Sequence, residues 1–282
     1  LPGWNDEPLR QKGFAMRWLS AIFILLFGLN ASALPPQAFS DLMLLSDAAA
    51  AATPAWGLTI VSTSNGYWST LSIVNGNPLT VDWGDGSVSN VSGTMSCQHT
   101  YGSSGTFDVK ISGSAGGIKF YSTRGFTWKS PVTAMTNITG LTNCYQMFRG
   151  CSGITNLPAN LFSGIDVSGV KTLQECFYGA SALVAPPAIN GMTNCTTMAT
   201  AFRGCAVMTT APDLTGMIAL TSLANAFQDC AAMTNFPPGL GGLTNLTTLN
   251  SAFYEDRAIK TSPDLSALTK LENLGSAFRT CR

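Results

Sequence analysis

The feature that most constrains the fold is a phenylalanine that returns about every 25 residues through the second half of the chain. The six phenylalanines are Phe148, Phe177, Phe202, Phe227, Phe253 and Phe278. Their successive spacings are 29, 25, 25, 26 and 25 residues. A fixed period in this range predicts a solenoid of stacked units, because one unit alone cannot bury its apolar face.

Other residue types keep a fixed offset from each phenylalanine, which we take as position 0 of its unit. Apolar residues stand at −7, −4 and +6, and a proline stands at +10 in every complete unit. Positions −7, −4, −1 and 0 share one face of a helix, and Gly150, Gly179 and Gly204 fit the left-handed residue after it. Proline would end a short strand that starts at +6. We therefore predict units of one short helix and one short strand over residues 128–282, about six in all, with the last one truncated.

The best copy of the unit reads MFRGCSGITNLP, from Met147 to Pro158. Its Phe-x-x-Cys-(Ser/Thr)-x-(Leu/Ile) core resembles the repeats of BspA-like leucine-rich-repeat surface proteins and related bacterial lipoprotein repeats. The resemblance implies a leucine-rich-repeat fold and an adhesion protein that binds host or matrix partners.

Short β-branched runs separated by Gly, Asn and Asp precede the repeats and predict an antiparallel β-sandwich over residues 55–127. The runs are WGLTIVS, STLSIV, PLTVDWGDGS, GTFDVKIS and GIKFYS. Period-two alternation places Trp83, Phe107, Val109 and Ile111 on the inward face.

VDWGDGSVSN followed by HTYGSSGTFDVKIS resembles the polycystic-kidney-disease-type (PKD) domain, an immunoglobulin-like sandwich of extracellular proteins. The resemblance implies a spacer or a weak binding module. The predicted fold class is therefore α+β and multi-domain, with a small immunoglobulin-like (PKD-like) β-sandwich before a leucine-rich-repeat solenoid.

The start of the chain has the parts of a secretory signal peptide. Met16 and Arg17 precede the apolar run WLSAIFILLFGL, and cleavage is expected after Ala33. An uncleaved membrane anchor is the alternative, although the run is short for a membrane span. The predicted segments are an upstream flank at 1–15, a signal peptide at 16–33 and a linker at 34–54. The chain stops before the strand and proline of its sixth unit, which predicts a fragment whose last unit frays.

The charge content is low, with 11% charged residues and a formal net charge of zero. A nucleic-acid-binding protein needs clustered Lys and Arg, and no basic run is present. A polar surface with few charges favours a secreted or cell-surface protein.

Catalytic and metal-binding motifs are sparse. His99 is the single histidine, and neither a phosphate-binding loop nor an HExxH motif occurs. Calcium held by Asp82 and Asp85 is an open alternative, but their spacing differs from the EF-hand and a Gly84–Gly86 hairpin turn explains them. A catalytic Ser-His-Asp triad is not indicated, because no serine lies in a nucleophile elbow. We predict a protein that is not an enzyme, with no catalytic residue, cofactor or metal.

Position +3 of the units carries Cys151, Ala180, Cys205, Cys230, Asp256 and Cys281. Each of these residues belongs to a different unit, so they form a column and not a cluster. Buried structural thiols are the main expectation. A disulfide between Cys205 and Cys230 and a metal or redox role are the alternatives.

Positions +7 and +8 carry small hydroxyl and amide side chains, and one of these columns must face outward. Val184 and Ala185 interrupt the pattern. The candidate binding face is Thr155, Asn156, Thr209, Thr210, Thr234, Asn235, Lys260 and Thr261. A face of this kind suits protein or glycan contact, because its desolvation costs little free energy and it offers many hydrogen-bonding groups. A solubilising surface without a ligand and an ice-binding threonine ladder are the alternatives.

The predicted function is that of a non-enzymatic secreted or cell-surface adhesion protein. Its partner is a protein or glycan on a host or neighbouring surface, with no nucleic acid and no membrane span in the mature chain. The alternative is a phage or virion structural or receptor-binding protein that uses the same modules for display.

Overall fold

The computed structural model describes residues 56–62, 68–121, 126–133, 135 and 138–281. All of them belong to one compact unit, Pro54–Arg282. The predicted flank, signal peptide and linker lie outside the described residues.

The first part of this unit is a seven-stranded sheet. The strands are β1 (Trp56–Ser62), β2 (Trp68–Asp82), β3 (Val88–Thr100), β4 (Gly105–Ser114), β5 (Gly117–Tyr121), β6 (Phe126–Val132) and β7 (Ile138–Thr139). Their order is β3-β2-β4-β1-β6, with β5 paired to β2 and β7 to β4. Every pair is antiparallel except β4 with β7. The sheet is curled into a half-barrel.

The predicted two-sheet sandwich is wrong, because β2 joins strands that a sandwich would separate. Its first part, Thr70–Val74, pairs with β5, and its later part, Asn77–Asp82, pairs with β4. Register shifts against β3 between Ile73 and Leu79 let β2 continue where the sequence indicated a break. Such bulges bend a strand without ending it, so one sheet results.

The predicted inward face of the sheet is confirmed. Trp83, Val109 and Ile111 are fully buried, and Phe107 packs half-buried against the same core. Alternate residues of a strand face the same side, so the apolar pattern of β4 was a sound guide to its buried face.

The predicted helix in each repeat is wrong. Within the described ranges there is no α-helix, and the only helical segment is a 3₁₀ turn at Leu240–Gly242. Each repeat unit, called a rung below, instead has overlapping turns closed by i→i+3 hydrogen bonds. Ala201 N–H donates to Met198 O at 3.0 Å, and Cys205 N–H donates to Phe202 O at 3.0 Å.

Backbone conformation at position −2 explains why no helix forms. The φ angle there is positive, between 51° and 59°, at Gln146, Glu175, Thr200, Asn225, Ser251 and Ser276. An α-helix needs an unbroken run of negative φ. The amide groups also point along the stack, since Met198 N–H donates to Ser222 O at 3.0 Å and Phe202 N–H donates to Ala226 O at 2.8 Å.

The short strand predicted from +6 does not form either. Single parallel bridges join the rungs at position −5, in the series Asn143, Thr172, Thr197, Ser222, Thr248 and Asn273. Gly117 of β5 bridges to Asn143, the first of this series. With both the helix and the strand replaced, the α+β leucine-rich-repeat architecture is overturned.

The side chain at −5 also fixes the turn that follows it. In all six rungs its oxygen accepts the N–H of position −3, at 2.7–3.3 Å. The residues are always Asn, Ser or Thr, which make such local bonds readily. Every turn therefore begins from the same side-chain contact.

The phenylalanines form one continuous stack, which begins in the sheet. Phe120 of β5 packs on Phe148, and neighbouring rings through Phe278 have centroids 4.8–5.7 Å apart and interplanar angles of 6–20°. Phe120 N–H also donates to Met147 O at 2.8 Å. The sheet thus covers the first rung with both a ring and hydrogen bonds.

The apolar columns at −7, −4 and +6 are buried between the rungs, as predicted. The last described rung is the exception, because no described rung follows it: Leu271 is partly buried and Leu274 is 47% exposed.

We expect Phe227→Ala to lower the free energy of unfolding by about 3–5 kcal/mol, because it leaves a cavity between two stacked rings. Phe278→Ala is the matched control, since Phe278 is only partly buried and stacks on one described ring. Urea unfolding of the wild type and of both variants measures the free energy of unfolding that each substitution removes. A loss below half a kcal/mol for Phe227→Ala would contradict burial of this column.

Candidate functional site

The eight residues of the predicted binding face are all exposed. They lie at positions +7 and +8 of four rungs. Both columns face outward because the chain bends at +8 instead of continuing as a strand, for example at Thr210 and Asn235. Side chains on either side of such a bend do not alternate between core and solvent.

Backbone hydrogen bonds fix the face from rung to rung. Val184 N–H donates to Thr155 O at 3.0 Å, Thr209 N–H to Val184 O at 3.1 Å, and Thr234 N–H to Thr209 O at 3.2 Å. The Thr234 hydroxyl also donates to Thr209 O at 3.3 Å. From Thr155 to Thr234, neighbouring rungs therefore present their side chains in a fixed register.

The candidate binding face is almost uncharged. Lys260 carries the one charge among the eight residues, and Val184 adds a 43% exposed apolar side chain between two threonines. Asn235 Nδ2 donates to Thr234 Oγ1 at 3.1 Å, which orients two of the polar groups. The face can exchange hydrogen bonds through its hydroxyl, amide and amine groups.

A second surface feature, at position +1, was not predicted from the sequence; its six side chains are half-buried or exposed. The side chains there are Arg149, Tyr178, Arg203, Gln228, Tyr254 and Arg279. The Tyr178 ring lies between two guanidinium groups, with Cζ of Arg149 5.1 Å and Cζ of Arg203 6.0 Å from its centroid. Glu175 pairs with Arg149 at 2.9 Å. The signal available was the long polar or aromatic residue that follows every repeat phenylalanine.

The cysteine column has a hydrogen-bonding role. Cys205 Sγ donates to Phe177 O at 3.3 Å, and Cys230 Sγ donates to Phe202 O at 3.1 Å, so each thiol reaches back one rung. All eight cysteines are free thiols. Burial raises the pKa of the Cys205 thiol to about 12, which leaves it protonated and unreactive at neutral pH.

The two aspartates weighed as calcium ligands are engaged within their own turn. Asp82 Oδ1 accepts Gly84 N–H at 2.9 Å, and Asp85 Oδ1 accepts Ser87 N–H at 3.0 Å. Gly84 has a φ of 78°, and a Cβ there would lie 2.6 Å from Asp108 O. The turn therefore requires glycine. In the described part of the chain, no group of three or more His, Cys, Asp or Glu side chains could hold a metal ion.

Ser87, His99 and Asp85 do come together, but with the wrong connectivity for a catalytic triad. His99 Nε2 lies 2.8 Å from Asp85 Oδ2 and 3.4 Å from Ser87 Oγ, so one ring nitrogen faces both partners. A proton relay needs the acid and the serine on opposite ring nitrogens. Ser87 Oγ donates to Asp85 Oδ1 at 2.5 Å and gives no proton to the histidine.

Electrostatics and packing indicate that this cluster stabilises the sheet. Burial raises the pKa of Asp85, but hydrogen bonds from Ser87 and His99 outweigh burial and hold the pKa below its usual value. The His99 ring stacks on Trp83 at 4.9 Å, and the Tyr101 hydroxyl donates to Trp83 O at 3.0 Å. These contacts lock the hairpin between β2 and β3.

A helix with the length and hydropathy of a membrane span does not occur in the described ranges between residues 56 and 281. Comparison with protein-family models, with curated proteins and with solved structures finds no match to this chain.

We expect alkylation of the native protein to label at most Cys281, the one cysteine of the eight that is only partly buried. After unfolding without reductant, all eight cysteines should be labelled. Mass spectrometry of the peptides measures both states. Failure of Cys205 and Cys230 to label in the unfolded chain would show a disulfide and contradict the thiol column.

Proposed function

We propose that this chain is a non-enzymatic binding protein of the cell surface or extracellular space. It presents the +7 and +8 face of its rungs to a protein or glycan on another surface. The observation that carries the proposal is the exposure of all eight candidate residues on four rungs of one hydrogen-bonded stack.

Rigidity of the face supports a binding role. Each rung is held to the next by backbone hydrogen bonds and by a stacked phenylalanine, as between Phe202 and Phe227. A rigid surface loses little conformational entropy when a partner binds, so more of the contact energy appears as affinity. The small Thr side chains add little rotamer entropy of their own.

The composition of the face indicates the kind of partner. Hydroxyl and amide groups can both donate and accept, and they suit an uncharged partner surface rich in hydroxyl or peptide groups. Rungs repeat at about 5 Å, so an extended partner could meet equivalent groups on successive rungs. The resemblance of the repeats to BspA-like surface proteins and the predicted signal peptide support the same location and role.

A double variant, Thr209→Glu with Thr234→Glu, tests the proposal because it places two charges on the centre of the face. We expect at least a tenfold loss of binding, or about 1.4 kcal/mol, since the carboxylates would be desolvated on contact. The probes are an array of immobilised glycans and wells coated with purified extracellular-matrix proteins. The wild type and the variant are measured on the same probes.

The matched control is Thr193→Glu with Thr244→Glu, two exposed threonines that share position −9. It adds the same charges elsewhere on the rungs and should bind like the wild type. Wild-type binding to no probe, or equal binding by the face variant, would contradict the proposal. Equal melting temperatures of the two variants exclude unfolding as the cause.

A further inference from the structure

Asp256 is the one carboxyl group in the column of position +3. It is fully buried, although the other rungs carry Cys or Ala at this position. Its Oδ1 accepts Cys230 N–H at 2.8 Å. Its Oδ2 is also buried, and no hydrogen-bond donor reaches it from the described residues.

The thiols at position +3 of the neighbouring rungs show which hydrogen bond a side chain at this position makes. Cys230 Sγ donates to Phe202 O at 3.1 Å, and Cys281 Sγ donates to Phe253 O at 3.2 Å. In each case the side chain at +3 donates to the phenylalanine carbonyl of the preceding rung. By the same register, the carbonyl opposite Asp256 is that of Phe227. A carboxylate cannot donate there, but a neutral carboxylic acid can.

Among the described residues, the groups around Asp256 offer no positive charge to an ionised carboxylate. The preceding rung places Cys230 and Asp229 beside it, and the following rung places Cys281. Asp229 is engaged by Arg203 at 3.8 Å. On the same rung, Arg257 pairs with Glu255.

Burial is the main effect on the acidity of this group. It raises the pKa of Asp256 to about 8, the N–H of Cys230 opposes the rise, and the charge of Asp229 adds to it. The Asp256 carboxyl group is therefore mostly in its neutral form at physiological pH.

We propose that Asp256 is a proton-dependent clasp that holds the rungs of Phe253 and Phe278 closed against the rung of Phe227. As a neutral acid it accepts Cys230 N–H through Oδ1 and donates its own proton from Oδ2 to the Phe227 carbonyl. When the proton leaves to solvent, the carboxylate loses the donor and carries an unpaired buried charge, and the two rungs open.

The direction of the pH effect follows from linkage. An exposed aspartate has a pKa of about 3.9, so opening of the rungs releases a proton at any pH between about 4 and 8. The opening equilibrium should rise about tenfold per pH unit in that window and level off above it. The clasp is tightest in mild acid and loosest at pH 8 and above.

Hydrogen exchange tests the clasp. Protection factors, corrected for the intrinsic exchange rate at each pH, are measured at pH 5 and pH 8 for segments 249–281 and 173–205. In the wild type, we expect protection of 249–281 to fall by roughly two orders of magnitude or more, with a much smaller change in 173–205. In Asp256→Asn, whose amide can still donate but does not titrate, the fall should be less than threefold.

Two results would overturn the proposal. One is equal protection of 249–281 at both pH values in the wild type, and the other is an undiminished fall in Asp256→Asn. Carbon-13 NMR of the Asp256 carboxyl group in the wild type decides the question even if the variant does not fold. A midpoint near 8 supports the clasp, and a midpoint below 6 refutes it. Asp256→Cys, which restores the column residue, should behave like Asp256→Asn.

Discussion

The stack depends on peptide groups that are hydrogen-bonded on both sides to neighbouring rungs. In the peptide between Thr197 and Met198, the carbonyl accepts Leu173 N–H at 3.0 Å and the amide donates to Ser222 O at 3.0 Å. The same pattern holds for the peptide groups whose N–H belongs to position −2, 0 or +2. Each rung therefore accepts from the rung before it and donates to the rung after it, which gives the stack a fixed direction. Its first rung needs a donor, and Phe120 on β5 supplies one.

Pointing the peptide groups along the stack costs conformational free energy, and side chains within each rung offset part of that cost. Turning every second peptide along the stack requires positive φ at −2 and +2, where residues other than glycine lose about 1–2 kcal/mol. The Asn, Ser or Thr at −5 begins the turn with a side-chain bond, and Gly150, Gly179 and Gly204 take +2 in three of the rungs. Burial of a phenylalanine in each rung from Phe148 to Phe253 offsets the rest of this cost, since a fully buried ring contributes about 1.5–3 kcal/mol.

The sequence predicted what depends on burial and failed where the fold depends on bonds between distant residues. The columns at −7, −4 and +6 were predictable because burial repeats a residue type at a fixed offset. The offsets −7, −4 and 0 suit a helix equally well, and nothing local shows that Met198 N–H bonds to Ser222 and not within its own turn. Phe120 escaped notice because it lies in a strand, 28 residues before Phe148. Exposure of the +7 face followed from its polar residues, whereas the bend that also exposes +8 did not.

Stacking in register also accounts for the low charge of this chain. Equivalent residues on neighbouring rungs lie about 5 Å apart, where two like charges repel by about 1–3 kcal/mol. In the column at +1, no two arginines are neighbours, because Tyr178, Gln228 and Tyr254 separate them. At +2 two acids are neighbours, and each has an arginine partner: Arg203 for Asp229 and Arg257 for Glu255. A charge is thus tolerated where a neutral or opposite group neighbours it, and burial raises the pKa of the Asp256 carboxyl group and so favours its neutral form.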